Sequence, residues 1–125
     1  MIALDASALI AFLFKEPGQE RVAALIPEAC MSSVNLSEVL GYFARTGAAV
    51  EAVAAKLQDT PIDWVPFTVE QAEHAAKLLP VTRDAGLSLG DRACLALALQ
   101  RGIAAITADR AWHALDLDVP VELIR

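Results

Sequence analysis

The segment that most constrains this fold lies late in the chain and reads ACLALALQ, from Ala93 to Gln100. A helix over these residues has almost no polar face, so it has to be buried on most of its sides. Ser88 and Asp91 precede it at the spacing of a capping box, with Asp in the place of Glu. After Gly102 comes a short apolar run typical of a buried strand. The sequence thus predicts a buried helix followed by a buried strand.

Short apolar runs alternate with helical segments along the rest of the chain. The predicted strands are Met1–Leu4, Ala29–Ser33, Asp63–Pro66, Ile103–Thr107 and Val119–Ile124. The predicted helices are Ala6–Phe14, Gln19–Ile26, Asn35–Thr46, Ala48–Gln58, Val69–Leu79 behind the N-cap Thr68, the helix opened by Ser88, and Asp109–Leu115, with Pro80–Ser88 as a loop. This alternation is typical of an α/β domain with a mostly parallel sheet. The pattern does not place the helix pair over Asn35–Gln58.

Length and composition narrow the class of protein. A chain of 125 residues predicts a single domain over 1–125, and a hydrophobic fraction of 56% excludes intrinsic disorder. The net charge of −6 argues against a protein that coats nucleic acid through a basic patch. It does not argue against an enzyme that meets a phosphodiester through bound metal cations.

The same features predict a cytoplasmic protein that does not enter a membrane. Every apolar run is too short to span a bilayer. The opening segment lacks the basic residues of a signal peptide and carries Asp5 within its apolar stretch. Cys30 and Cys94, which form no C-x-x-C pair, are predicted to be buried free thiols.

Four acids are predicted to converge on one edge of the sheet. Asp5 follows the first strand directly, and Asp109 lies two residues beyond the AAIT strand. Glu38 is placed in the first turn of the helix after the second strand, and Asp91 opens the buried helix. Ligands of open parallel sheets bind outside the carboxyl ends of the strands, where all four segments are expected to meet.

A cluster of four carboxylates suggests a cation. Unit like charges ~4 Å apart repel by several kcal/mol even at an effective dielectric of ~20, so without a cation some groups would bind protons. Oxygen ligands without a histidine or thiolate cluster favour Mg²⁺, or Mn²⁺, over zinc. His74 and His113 lack ligand spacing.

Each acid also has a purely structural explanation, and the two explanations are compatible. Asp5 and Asp109 would cap the helices that follow them, and Asp91 would complete the capping box of Ser88. Glu38 lies away from the apolar face of its helix, so it would simply be solvated. The pattern alone therefore predicts an acidic metal site and no specific activity.

Three segments closely resemble the PIN domain, specifically the VapC-type toxins of bacterial toxin–antitoxin pairs: MIALDAS, SSVNLSEVLGYFART and GLSLGDRACLALALQRGIAAITADRAW. The resemblance covers nearly the whole chain in order, and its last segment is the most specific. It implies a three-layer α/β fold with a mostly parallel five-stranded sheet and helices on both sides. The four acids of that family match, in order, Asp5, Glu38, Asp91 and Asp109, and its accompanying hydroxyls match Ser7 and Thr107.

The resemblance further implies a magnesium-dependent endoribonuclease that forms homodimers and is inhibited by a VapB-type antitoxin. Metal-activated water would cleave RNA and leave a 5′-phosphate and a 3′-hydroxyl. The sequence offers no Ser–His–Asp or Cys–His arrangement for a covalent route. Arg92 and Arg110 adjoin two of the acids, where they would either hold RNA phosphates or pair with neighbouring acids.

Other classes fit the sequence less well. A receiver-type phosphoacceptor domain needs a late lysine and an acid after a middle strand, whereas the last lysine is Lys77, on a predicted helix, and the third strand ends in Pro66-Phe67. A dehalogenase-type phosphatase needs D-x-D where this chain has Asp5-Ala6-Ser7, and the glycine-rich loops of nucleotide-binding proteins are absent. A non-catalytic interaction module stays open, because a fold does not determine a function.

Overall fold

A computed structural model describes residues 1–125 and places a five-stranded sheet between two layers of helices. The strands are β1 (Ile2–Leu4), β2 (Ala29–Ser32), β3 (Asp63–Val65), β4 (Ala104–Thr107) and β5 (Val121–Leu123). Their order is β3-β2-β1-β4-β5, and all neighbours pair in parallel. The predicted α/β class and parallel sheet are confirmed, with β1 as the central strand.

Seven α-helices connect and cover the strands. They are α1 (Ala6–Leu13), α2 (Gln19–Leu25), α3 (Ser33–Arg45), α4 (Val50–Gln58), α5 (Val69–Lys77), α6 (Leu79–Thr82) and α7 (Leu89–Arg101). Short 3₁₀ turns lie at Ile26–Glu28 and Arg110–Ala114. The longest helices have 13 residues, and none is long and apolar enough to cross a membrane.

The core has two halves because successive strand residues point to opposite faces of the sheet. Ile2 and Leu4 of β1 pack with residues of α1 to α4, whereas Ala3 packs with residues of α5 and α7. Helix α7 is buried without interruption from Ala93 to Ala98. The helix predicted to lack a polar face is thus the inner helix of the second layer.

The helix pair that the sequence could not place covers the first face of the sheet. Val39 of α3 and Leu57 of α4 are buried in the same core cluster as β1. Helix α3 also contacts α7, beyond the sheet. Leu57 is the only fully buried residue of α4, so the sequence carries a weak signal for the position of this helix.

The structure corrects two details of the predicted layout. Helix α3 begins at Ser33, because the side chain of Ser32 accepts a hydrogen bond from the backbone N–H of Val34, so Glu38 lies in the second turn and not in the first. Residues Leu79–Thr82 form the short helix α6, where the sequence predicted the end of a helix at Leu79 and a loop from Pro80. Pro80 lies in its first turn, where no backbone N–H donor is needed.

Candidate active site

The site lies at the carboxyl edge of the sheet, beyond the central strand. Asp5 follows β1 and is only 2% exposed. Its backbone N–H donates to the carbonyl of Ile106 on β4, at 2.9 Å. The pairing of β1 with β4 therefore carries Asp5 into the interior at the end of the sheet, beside Thr107.

Two hydroxyls hold the Asp5 carboxylate. Ser7 donates to its Oδ2 at 2.6 Å and Thr107 donates to the same oxygen at 3.0 Å. Oδ1 of Asp5 is buried and has no hydrogen-bond partner. The second carboxylate oxygen is therefore left as a free acceptor inside the site.

The surroundings of Asp5 disfavour its charged form. Burial raises the pKa of Asp5 from 3.8 to about 7, the bonds from Ser7 and Thr107 oppose this increase, and the charges of Asp91 and Glu38 add to it. An aspartate in this environment either binds a proton near neutral pH or requires a neighbouring cation.

Asp91 lies in the first turn of α7, where the predicted capping box forms. Its Oδ2 accepts from the backbone N–H of Ser88 at 2.9 Å, and its own N–H donates to the Ser88 hydroxyl at 3.2 Å. Burial raises the pKa of Asp91, the bonds with Ser88 lower it, and the charge of Asp109 raises it again. Asp91 therefore interacts electrostatically with Asp109 as well as with Asp5 and Glu38.

Glu38 reaches the site from α3, where the residue itself is exposed. Its Oε1 accepts from Nδ2 of Asn35 at 2.9 Å, and the same Nδ2 donates to the carbonyl of Gly90 at 3.0 Å. Partial burial of the carboxylate raises the pKa of Glu38, and the charge of Asp91 raises it further. Asn35 was not predicted from the sequence, although its position three residues before Glu38 puts both on one face of the helix.

Asp109 stands at the exposed rim and also caps a helix. Its Oδ1 accepts from the backbone N–H of Ala111 at 3.0 Å, at the start of the 3₁₀ turn after β4. The capping prediction is thus confirmed for Asp109 and Asp91. It is wrong for Asp5, whose side chain makes no capping bond because both hydroxyl contacts go to Oδ2 and Oδ1 is unpartnered.

The two arginines beside the acids, Arg92 and Arg110, have different environments. The guanidinium of Arg92 is half-buried and donates to the carbonyl of Ala75 at 2.9 Å, so it ties α7 to α5. Arg110 is exposed beside Asp109. His74 lies on α5, within 3.9 Å of Glu70 on its own helix, and His113 lies in the 3₁₀ turn that follows Asp109. Both cysteines are buried and unpaired, as predicted.

The four acids, called the acid cluster below (Asp5, Glu38, Asp91 and Asp109), do not form a closed ligand cage. No three histidine, cysteine or acid side chains are arranged to hold a metal ion. Mg²⁺, however, is commonly bound through only one or two carboxylates and keeps several of its waters. The free Oδ1 of Asp5 and the oxygen-only donor set fit such a partly hydrated cation.

The sheet order argues against a receiver-like domain. Flavodoxin-like folds have the strand order 2-1-3-4-5, whereas here β3 is an edge strand. No acid directly follows Val65, the last residue of β3. Asp5 instead follows the central strand β1, Glu38 and Asp109 come after its neighbours β2 and β4, and Asp91 lies in the first turn of α7.

Solved structures of toxin–antitoxin proteins share this fold. A DNA-bound VapBC complex from Salmonella typhimurium has a TM-score of 0.74 at 20% identity, covering 99% of this chain and 98% of that chain. The VapC20 toxin of Mycobacterium tuberculosis, described as cleaving the sarcin–ricin loop, has a TM-score of 0.73 at 20% identity, covering 96% and 99%. VapBC-5 of the same organism has 26% identity and a TM-score of 0.64, covering 98% and 96%.

Sequence comparison leads to one family. No curated protein matches the chain significantly. The family model described as the PIN domain matches residues 2–117. Because this match includes all four acids and nearly the whole chain, the protein belongs to the PIN domain family.

Proposed function

We propose that this PIN domain is a metal-dependent endoribonuclease and the toxin of a VapBC-type toxin–antitoxin pair. The observation that carries the proposal is the carboxylate of Asp5. Two hydroxyls hold one of its oxygens, the other is buried without a partner, and burial together with the charges of neighbouring acids raises its pKa. Such an arrangement does not stabilise a fold, because a buried carboxylate oxygen without a hydrogen-bond partner is costly.

Within this proposal the acids have different roles. Asp5 and Asp91 are the principal ligands of Mg²⁺, or of Mn²⁺ in its place, and Asp109 is the next. Glu38 either completes the ligand set or orients a water molecule. The cation, when bound, lowers the pKa of its water and neutralises the charge that develops on the phosphate.

The chain's own residues determine how a substrate approaches. Asp5 is inside and fixed by Ser7 and Thr107, whereas Glu38 and Asp109 stand at the exposed rim. An RNA phosphodiester can therefore approach from solvent, over the rim. No serine or cysteine is activated by a histidine in this cluster, which favours attack by water.

The partner is proposed to be a VapB-type antitoxin. Several structures with the same fold are VapBC complexes, which supports a partner of that kind for this chain. An arginine of the partner would pair with two carboxylates at once, and its planar fork suits them better than lysine. Inhibition through the acid cluster should then weaken as the Mg²⁺ concentration rises. We also propose that the protein forms homodimers and is cytoplasmic. Its two free thiols agree with a reducing compartment.

The decisive experiment is RNA cleavage by purified protein free of antitoxin. We expect cleavage of a mixed pool of tRNA, rRNA and mRNA in Mg²⁺ or Mn²⁺, loss of cleavage in EDTA, and recovery when Mg²⁺ is added back. Asp91→Asn should abolish it, because the amide retains the acceptor for Ser88 but removes the ligand charge. Full activity in EDTA would overturn the metal mechanism. Tight binding of a VapB-type partner without cleavage in any divalent cation would indicate an interaction module.

A further inference from the structure

We propose that Asn35 and Gly90 are positioning residues, which together hold the carboxylate of Glu38 against the first turn of α7 and so within the acid cluster. The role in catalysis rests on the proposed function, whereas the geometry does not. Neither residue is an acid, and neither belongs to the pattern that predicted the site. Their contacts join α3 to α7 across 55 positions of the sequence.

Asn35 provides the first half of the arrangement. Its side chain is fully buried, and its Nδ2 donates both to Glu38 Oε1 at 2.9 Å and to the carbonyl of Gly90 at 3.0 Å. Only the amide nitrogen can donate to two oxygens, so the orientation of the amide is determined by its partners. Oδ1 of Asn35 has no partner. The Asn35 amide thus bonds both to Glu38 and to the backbone of α7, and so orients Glu38 relative to that helix.

Gly90 provides the second half by lacking a side chain. A Cβ atom on Gly90 would overlap the carboxylate of Glu38, closer than real Cβ atoms approach their neighbours. Gly90 is not among the glycines with a positive φ, so the backbone does not require glycine there. A helical glycine is unfavourable relative to alanine. Space for the carboxylate is therefore the reason for glycine at this position.

The two halves restrain a side chain that would otherwise be mobile. Glu38 lies on the exposed side of α3, and a glutamate there has several rotamers of similar energy. Gly90 opens a place beside Asp91, and Asn35 fills one lone pair of the carboxylate that occupies it. Because the overlapping group is the end of a flexible side chain, Gly90→Ala should displace Glu38 and leave the fold intact.

The test compares two helical glycines. Gly90→Ala is the probe and Gly41→Ala is the matched control, since a Cβ at Gly41 meets nothing within 4 Å. In the metal-free protein, the side-chain amide resonance of Asn35 should shift in Gly90→Ala as it does in Glu38→Ala, and stay in place in Gly41→Ala. The midpoint of thermal unfolding should not fall in Gly90→Ala. An unmoved Asn35 amide in that variant overturns the proposal.

Metal affinity gives the second readout. Substitution of a residue that orients a metal ligand typically lowers metal affinity by about 10- to 100-fold. Gly90→Ala should therefore weaken Mn²⁺ binding by about tenfold. Electron paramagnetic resonance measures this binding. In the Glu38→Ala background the same change should have no further effect. Additive losses would mean that Gly90 acts independently of Glu38 and would overturn the proposal. Should the parent protein neither bind Mn²⁺ nor cleave RNA, the proposed function fails, while the Asn35 resonance still decides the positioning.

Discussion

The hydroxyls of Ser7 and Thr107 lie 3.2 Å apart, although the residues are separated by 100 positions in the sequence. Both donate to Oδ2 of Asp5, and each accepts a backbone N–H, from Ala108 and Asp109 respectively, at 3.0 Å. The two hydroxyls are therefore oriented from both sides. They fix the orientation of the Asp5 carboxylate and leave its Oδ1 free within the site.

Removing one hydroxyl should raise the pKa of Asp5 above its value of about 7, because the bond from Ser7 lowers it. A hydrogen bond to a charged group contributes about 1.5–3 kcal/mol, which corresponds to an increase of roughly one to two pH units for Ser7→Ala. The measurement is a ¹³C NMR titration of the Asp5 carboxyl carbon in the metal-free protein. Ser37→Ala, at an exposed position on α3, is the control, and equal pKa values in both variants would contradict the assignment.

The raised pKa of Asp5 also predicts how stability depends on pH. Between about pH 4 and pH 7 the folded protein binds a proton at Asp5 that the unfolded chain has released, so the free energy of unfolding falls as the pH rises through this range. The loss should be on the order of a few kcal/mol. Urea denaturation of chelated protein at pH 4.5, 6 and 7.5 measures it. Asp5→Asn should flatten the dependence, and an equally steep slope in that variant would assign it to other groups.

Ser88 and Asp91 should separate capping from chemistry. Ser88→Ala removes the acceptor for the N–H of Asp91 and should lower the free energy of unfolding by about 1 kcal/mol, while cleavage at 25 °C persists. Asp91→Asn should do the reverse, with stability retained and cleavage lost. Urea denaturation and an RNA cleavage assay on both variants provide the comparison. If both variants lose stability and keep activity, Asp91 is only a cap.

Arg92 should prove structural despite its position beside Asp91. Arg92→Ala removes the bond to the carbonyl of Ala75 and should lower the free energy of unfolding by about 1.5 kcal/mol, with no change in the KM for RNA. Arg110→Ala, at an exposed position, should not change stability. Denaturation curves and steady-state kinetics measure these effects. A large increase in KM for Arg92→Ala would mean that its guanidinium turns towards the substrate.

The fold was predictable where local patterns are strong. The apolar stretch of α7 and the alternation of strands with helices indicated the class and the parallel sheet. The position of α4 was not predictable, because a single fully buried residue, Leu57, carries it. The short helix α6 was missed because Pro80 is as compatible with a first helical turn as with a loop.

For the candidate site, the sequence pointed to the four acids and not to the residues that hold them. Strand ends pointed to Asp5 and Asp109, and helix starts to Asp91 and Glu38. Asn35 and Gly90 escaped because a hydrogen bond between distant segments leaves no periodic trace in the sequence. Ser7 and Thr107 were suggested only by the family resemblance, for the same reason.

The pairing of β1 with β4 has a consequence for the cell that makes the protein. Asp5 emerges from the ribosome 102 residues before Thr107, so its carboxylate is present long before the hydroxyl of Thr107 and the carboxylate of Asp109. The two segments meet only when β1 pairs with β4 in the sheet. A nascent or prematurely terminated chain that has not reached Thr107 consequently has no complete acid cluster, because Asp109 and one of the two hydroxyls that hold Asp5 are still missing.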